Sequence, residues 1–348
     1  MDLNLIKDLI FTEGVSGFES KIRERIKKEI ERLKPDDIKI DTLGNLIAIK
    51  KGETNNFIFL TAHMDELGLV VSSIDDNGFI GFRKIGGIDD RVLLSRIFRI
   101  LGSKGVVLGV IGLLPPHLAV ENKSSETNIV WHNMKIDVGA KSKNEVLDMG
   151  IEIGTPIVFQ KDFYFNNDLI ISRGLDDRIG VYILIKILEY FKDIEPYNNI
   201  ILAFTVEEEI GLRGASVLTN LYKPDFVIAV DSMSATDFYN VPSVYKNSIS
   251  LGLGPVIRKV DSRMIVNEEV FEFVKNVAIN SKLPYQIGVS GGSTDASIIE
   301  TTNKGYKSVP LCIPVRYTHS TVEICSKTDV ENLTKLCVEI IQNKIELL

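Results

Sequence analysis

Ile201-Leu202-Ala203-Phe204-Thr205-Val206-Glu207-Glu208-Glu209-Ile210-Gly211-Leu212-Arg213-Gly214 opens as an apolar run and breaks into three carboxylates, then glycines. The first six residues are short-run, β-branched and aromatic, with no helical period, which reads as a buried strand. Glu207, Glu208 and Glu209 sit at its C-terminal end, where open α/β sheets gather ligands and chemistry. Three acids on the end of a core strand are electrostatically costly unless solvent or a cation answers them. An isolated Glu triplet is ordinarily a solvated turn, so the rest of the chain decides between the two readings.

Outward from this strand the same grammar repeats. Residues 57–61 form an apolar run that delivers Ala62-His63-Met64-Asp65-Glu66. Residues 170–172 lead into Arg173-Gly174-Leu175-Asp176-Asp177-Arg178, followed by a helix over 181–191 that is apolar almost all round. Residues 226–230 read as a strand ending on Asp231, and 308–315 as a strand leading to His319. Helices are expected over 215–222, 268–281, 295–302 and 327–344. Near the N-terminus Ser16-x-x-Glu19 reads as a capping box ahead of Ile22, Ile26, Ile30 and Leu33 at helical spacing. Residues 38–41 and 46–50 read as a hairpin. The expected fold class is α/β, a mixed sheet flanked by helices.

Between 67 and about 165 the texture changes to short apolar runs broken by turns such as Asp76-Asn77-Gly78, Gly86-Gly87 and Pro115-Pro116. Strands at this spacing suggest a small all-β barrel or sandwich. The expected organisation is an α/β domain over 1–66 and 167–348, with a β domain inserted at 67–166.

The totals narrow the function classes. A chain of 348 residues with 45% hydrophobic and 25% charged residues has ordinary globular composition. A net charge of -7 does not invite nucleic acid or anionic lipid. No stretch is long and apolar enough for a membrane span, and no leader pattern opens the chain. Cys312, Cys325 and Cys337 lack CxxC spacing, which suits reduced, buried thiols and a cytoplasmic location.

His63, Asp176, Glu209, Asp231 and His319 each follow an apolar strand. Singly they are turn residues or caps. Together they are two imidazoles and three carboxylates at one sheet edge, a set that suits two divalent first-row metal ions such as zinc or cobalt. Asp65, two residues beyond His63, is placed to hold a metal-bound imidazole in one tautomer. Adjacent residues on an extended strand point to opposite faces. Glu208 and Glu209 therefore reach one site only through a kink, which the turn toward Gly211 can supply. One of the two then binds metal and the other acts as general base.

Seven motifs carry a family resemblance. They are Ala62-His63-Met64-Asp65-Glu66-Leu67-Gly68, Gly86-Gly87-Ile88-Asp89-Asp90-Arg91, Asp137-Val138-Gly139-Ala140, Leu175-Asp176-Asp177-Arg178-Ile179-Gly180, Glu208-Glu209-Ile210-Gly211-Leu212-Arg213-Gly214-Ala215, Ser290-Gly291-Gly292-Ser293-Thr294-Asp295-Ala296 and Pro314-Val315-Arg316-Tyr317-Thr318-His319-Ser320. In this order they resemble the tetrahedral (TET), glutamyl-aminopeptidase-like family of co-catalytic metallopeptidases, nearly end to end. The resemblance implies a zinc-exopeptidase-like fold and a metal-dependent aminopeptidase acting on short peptides. It implies Asp176 bridging two metals, with His63 and Asp231 completing one site and Glu209 and His319 the other. Glu208 would be the base and Asp65 would orient His63. The Asp176–Asp177 peptide is expected to be cis. It further implies dimers formed through the β domain that assemble into a hollow tetrahedral dodecamer.

Glu207 departs from the Gln frequent at this position in the family. Thr294 and Asp295 read equally as pocket-lining residues and as a helix N-cap pair. No residue gives a charge rule for the preferred N-terminal residue, and an aliphatic one such as leucine is expected. Two other readings compete. Some relatives are described as endoglucanases, and paired carboxylates can cleave glycosides, but the imidazoles have no task there. A non-catalytic, peptide-binding shell is opposed by the intact ligand set.

Overall fold

The computed structural model describes residues 1–118, 129–246 and 248–345. Contacts divide the chain into two compact units. The first comprises Met1–Glu66, Asp162–Thr318 and Val322–Leu348; the second comprises Leu67–Lys161, with the short tip His319–Thr321 grouped with it.

The first unit is built on a mixed sheet of eleven strands among the described residues. From one edge the order is Asp37–Ile40, Leu46–Lys50, Asn199–Thr205, Phe57–His63, Phe226–Ser234, Ser308–Arg316, Glu323–Ser326, Leu169–Ser172 and Phe163–Asn166. Val256–Val260 branches from Ser308–Arg316 and carries Gln286–Val289. The central strands Asn199–Thr205, Phe57–His63, Phe226–Ser234 and Ser308–Arg316 are mutually parallel. Parallel strands need cover on both faces, and these have it. Asn199–Thr205 is buried along its whole length. Ile58, Leu60, Leu202 and Phe204 pack with Ile179, Ile183 and Leu188 of the helix Leu175–Tyr190. Phe59, Ile201, Ala203 and Val227 pack with Ala215, Leu218 and Ile299 on the other side.

Most elements stand where the apolar patterning puts them. Leu46–Lys50 pairs antiparallel with Asp37–Ile40 as a hairpin. The helix Ser20–Glu31 buries Ile22, Ile26 and Ile30. The helices Glu268–Asn280 and Lys327–Gln342 follow their predicted spans. Four readings change. The strand Phe226–Ser234 does not stop before Asp231 but continues past it, because Ser308–Arg316 stays in parallel register with it to Ser234. Ser16 does not cap the following helix: its Oγ donates to Asp65 Oδ2 at 2.7 Å, and Glu19 faces back toward Gly17. The helix after Thr294 is short, Asp295–Ile299. Phe163–Asn166, whose sequence texture matches the preceding segment, pairs with Leu169–Ser172 at the edge of the large sheet.

The second unit carries a five-stranded sheet in the order Ile80–Ile85, Gly68–Ile74, Pro156–Phe159, Arg96–Gly102 and Gly105–Ile111. All its pairings are antiparallel. Ile80 and Val110, on the two outermost strands, bridge to the consecutive residues Ile136 and Asp137. Its core is a separate cluster that includes Leu69, Phe82, Phe98, Ile100, Ile157 and Phe159.

Candidate metal centre

Strand parity brings the first candidates together. Odd-numbered residues of Phe57–His63 share one face, and Phe59 puts that face in the cluster with Ile201 and Val227. His63, Thr205 and Asp231 lie on the same face by the same alternation. Thr205 pairs with His63, and Ala229 with Thr61. Carried two residues further, that register brings Asp231 level with His63.

Asp176 arrives from the neighbouring helix. Gly174 takes the left-handed conformation at φ 79°, and Asp176 and Asp177 have non-helical backbone angles at the start of Leu175–Tyr190. The Asp176–Asp177 peptide is cis. Asp176 Oδ1 lies 3.2 Å from His63 Nε2.

The Glu triplet leaves its strand through a tight turn. Glu207 is left-handed at φ 54° and Gly211 sits at φ 120°. The N–H groups of Gly211 and Leu212 both donate to Glu208 O, and Gly214 N donates to Val206 O. This turn is the kink that two adjacent Glu side chains need to reach one place. Its backbone is held by carboxylates from other segments. Glu207 N donates to Glu19 Oε1 at 3.1 Å, Glu208 N to Asp65 Oδ1 at 3.0 Å and Glu209 N to Asp65 Oδ2 at 3.2 Å. The Glu207 side chain itself pairs with Arg213.

Two groups of side chains result, each with ligand-type atoms within 4.8 Å of one another: His63, Asp176 and Asp231, and Asp176, Glu209 and His319. All five candidates from the sequence are in these groups, and Asp176 is in both. The donor set fits a metal of zinc type on two observations. Two ligands each about 2 Å from a tetrahedral zinc are separated by roughly 3.3 Å, close to the 3.2 Å between His63 Nε2 and Asp176 Oδ1. Each imidazole is also oriented from behind. His63 Nδ1 faces Asp65 Oδ1 at 3.4 Å, and His319 Nδ1 donates to the Gly87 carbonyl at 3.1 Å. The hydrogen bond to Gly87 puts the His319 lone pair on Nε2, and the Asp65 carboxylate favours the same tautomer of His63 electrostatically.

The electrostatics point the same way. Burial pushes Asp231 up to about 8, with the Asp176 charge adding to it. For Asp231 this corresponds to roughly 6 kcal/mol against the ionised form relative to water. Glu209 is pushed up to about 8 by burial and by Asp176. Glu208 is raised well above the carboxylate range by burial and by Asp231 and Glu209, against the pull of His63. Burial would strip the proton from His63, but Asp176, Asp65 and Glu208 outweigh it and hold its pKa well above the ordinary value. Asp65 is fully buried, which raises it, yet its contacts with His63, Ser16 and Glu208 N bring it below the usual range. Apart from Asp65, these acids resist ionisation, and a multivalent cation among them would reverse that.

Asp295 and Thr294 are held inside the fold rather than presented at its surface. Both are buried; Asp295 Oδ2 accepts from Thr205 Oγ1 at 2.7 Å, and Thr294 makes no side-chain cap. Ser16, Glu19 and Glu323 were not legible as parts of the site. Glu323 is buried and accepts from Leu175 N at 2.7 Å. Burial and the Asp176 charge push it up to about 7 although Arg173 pulls it down.

Comparison with known proteins agrees with the motifs. A putative aminopeptidase of Acetivibrio thermocellus is 38% identical over 97% of this chain and 98% of its own length. The lysyl aminopeptidase of Pyrococcus furiosus is 34% identical over 98% and 97%. Among solved structures, a TET aminopeptidase from a marine sediment Thaumarchaeota archaeon superposes with a TM-score of 0.93 at 34% identity, covering 98% of this chain and 95% of that one. The Pyrococcus horikoshii TET1 peptidase, described as assembling into a tetrahedron or a large octahedral shell, gives 0.89 at 39% identity over 97% and 98%. A Thermotoga maritima protein described as an endoglucanase gives 0.79 at 30% over 97% and 96%. The M42 glutamyl aminopeptidase family matches residues 44–336. With that span covered and these relatives aligned nearly end to end, the chain is a peptide hydrolase and belongs to the M42 glutamyl aminopeptidase family.

Proposed function

We propose that this chain is an aminopeptidase that removes N-terminal residues from short peptides at a centre of two divalent metal ions, zinc or cobalt. The observation that carries the reading is the pair of side-chain groups sharing Asp176. His63, Asp176 and Asp231 would hold one ion and Asp176, Glu209 and His319 the other, with Asp176 bridging. Bound there, the ions would supply Lewis-acid polarisation of the scissile carbonyl and lower the pKa of water toward about 7. Three carboxylates also nearly balance two dications.

The protein's own groups divide the remaining work. Glu208 stands beside Glu209 but outside both groups. It is left to take a proton from the attacking water and return it to the leaving amine. Asp65 orients His63 from one side of its carboxylate and fixes the Glu208 backbone from the same oxygen. The base and a metal-binding ring are thus referenced to one rigid, ionised group.

We read the five-stranded unit as a barrel closed through residues 136–137 and as the surface through which copies dimerise. The tetrahedron described for the Pyrococcus horikoshii TET1 peptidase, and the dodecamer described for the solved PhTET1-12s structure, support further association into a tetrahedral dodecamer. Among the described residues no helix is long and apolar enough to cross a membrane. A net charge of -7 disfavours nucleic acid as a partner, and the three buried, free cysteines suit a cytoplasmic setting. The endoglucanase description belongs to a structural neighbour and leaves the two imidazoles without a task.

The test is Glu208→Gln. Amino-acid release from a leucyl peptide should fall by about two or more orders of magnitude, while bound zinc per subunit stays at the wild-type value. Near wild-type turnover would remove Glu208 from the role of base.

A further inference from the structure

Glu323 lies in Val322-Glu323-Ile324-Cys325, an unmarked strand sequence. The strand Glu323–Ser326 pairs antiparallel with Leu169–Ser172, and Ser172 is the register partner of Glu323. That register places the Glu323 side chain beside the chain as it leaves its strand for the helix Leu175–Tyr190. Helix starts leave their first N–H groups without intrahelical acceptors, and here the usual remedy is missing. The residue before the helix is Gly174, which has no side chain to offer, and the backbone of Asp176 and Asp177 is not helical. Glu323 Oε2 fills the role from outside, accepting from Leu175 N at 2.7 Å and from Asp176 N at 3.4 Å. The oxygen is fully enclosed, since Glu323 is 2% exposed.

We propose that Glu323 is a positioning residue that fixes Asp176, the side chain common to both candidate metal groups, by holding the backbone N–H of Leu175 just before it and, at longer range, that of Asp176 itself. What matters is the reach of the acceptor oxygen rather than the negative charge. The arrangement parallels Asp65, which captures Glu208 N and Glu209 N. The inference rests on the reading that Asp176 contributes to a metal centre.

Two conservative variants separate reach from charge. Glu323→Gln keeps the length and the oxygen but removes the charge; Glu323→Asp keeps the charge but withdraws the oxygen by one methylene. Zinc alone is titrated calorimetrically into chelator-stripped, full-length wild type and each variant, with circular dichroism and subunit assembly checked first. Glu323→Gln should bind zinc within about 3-fold of wild type, and Glu323→Asp about 10-fold or more weakly, the range seen when supports of metal ligands are lost. Glu323→Asp binding as tightly as Glu323→Gln, or more tightly, overturns the inference. If Glu323→Asp does not fold, Glu323→Gln decides alone: zinc binding about 10-fold or more weaker than wild type in that folded variant overturns the inference. Wild type that takes up no zinc defeats the metal-centre reading itself, a result distinct from either ranking.

Discussion

Asp65 and Glu19 are both buried carboxylates that hold the backbone of the Glu triplet, yet their ionisation goes opposite ways. Asp65 collects Ser16 Oγ, Glu208 N, Glu209 N and the His63 ring, enough to keep it below the usual range. Glu19 collects backbone N–H groups alone, Gly17 N and Glu207 N on Oε1 and its own, and faces the Asp65 charge. Burial, with Asp65 adding to it, pushes Glu19 from 4.5 up to about 7. The folded chain therefore keeps this proton where the unfolded chain has lost it. Below pH 4.5 the group costs nothing; the penalty grows as pH rises from about 4.5 to about 7 and is complete above. Glu19→Gln keeps Oε1 as acceptor and removes the charge. In metal-stripped protein it should be more stable than wild type above pH 7, by on the order of 3 kcal/mol. Denaturant unfolding from pH 4.5 to 8 checks this, and a gap that does not change with pH would rule the explanation out. The same contrast explains what was legible in the sequence. His63, Asp176, Glu209, Asp231 and His319 are chemically marked residue types near the ends of apolar runs. Glu19 and Glu323 act by capturing backbone N–H groups and Ser16 by donating to the Asp65 carboxylate, which depends on which strand lies beside which.

At the scale of elements, continuous apolar runs identified Phe57–His63 and Asn199–Thr205 because parallel strands covered on both faces have no polar alternation to hide them. The limits of Phe226–Ser234 escaped because the pairing that extends it beyond Asp231 comes from a strand some eighty residues on. The helix Leu175–Tyr190 contains a further constraint that patterning does not reveal. Gly180 reads as a weak point in an otherwise apolar helix, where alanine would be expected to add about 1 kcal/mol. Here a Cβ at Gly180 would lie 2.3 Å from Asp177 Oδ2 and 2.4 Å from Oδ1. Asp177 Oδ1 accepts from Gly180 N at 3.0 Å, and the side chain is completely buried next to Asp176. The carboxylate must shift within a fully buried site and give up its bond to Gly180 N, so Gly180→Ala should destabilise rather than stabilise, by about 1–3 kcal/mol as for an overpacked core. It should also weaken zinc binding by displacing the start of the helix. Thermal unfolding of the metal-stripped variant at or above the wild-type midpoint would show that Asp177 relaxes freely.

Across the whole molecule, a net charge of -7 spread over 348 residues is modest, but its distribution is not. Asp65, Asp176, Asp177, Glu208, Glu209 and Asp231 converge on His63, and burial and mutual repulsion raise most of them. A fold that gathers so many acids is most stable with cations among them, so metal occupancy and global stability should be linked. Zinc at 100 times its dissociation constant stabilises the folded state by about 2.7 kcal/mol for each independent site. Chelation should therefore lower the thermal midpoint by several degrees, and zinc should restore it saturably. The shared ligand sharpens the expectation. Asp176→Asn touches both side-chain groups, whereas Asp231→Asn and Glu209→Gln each touch one. Zinc should stabilise Asp176→Asn little, if at all. It should stabilise each of the other two by about half the wild-type increment, since a one-site increment of about 2.7 kcal/mol remains. Differential scanning calorimetry of the four proteins, stripped and then titrated, gives the ranking. Full zinc stabilisation of Asp176→Asn would mean that no single carboxylate serves both positions.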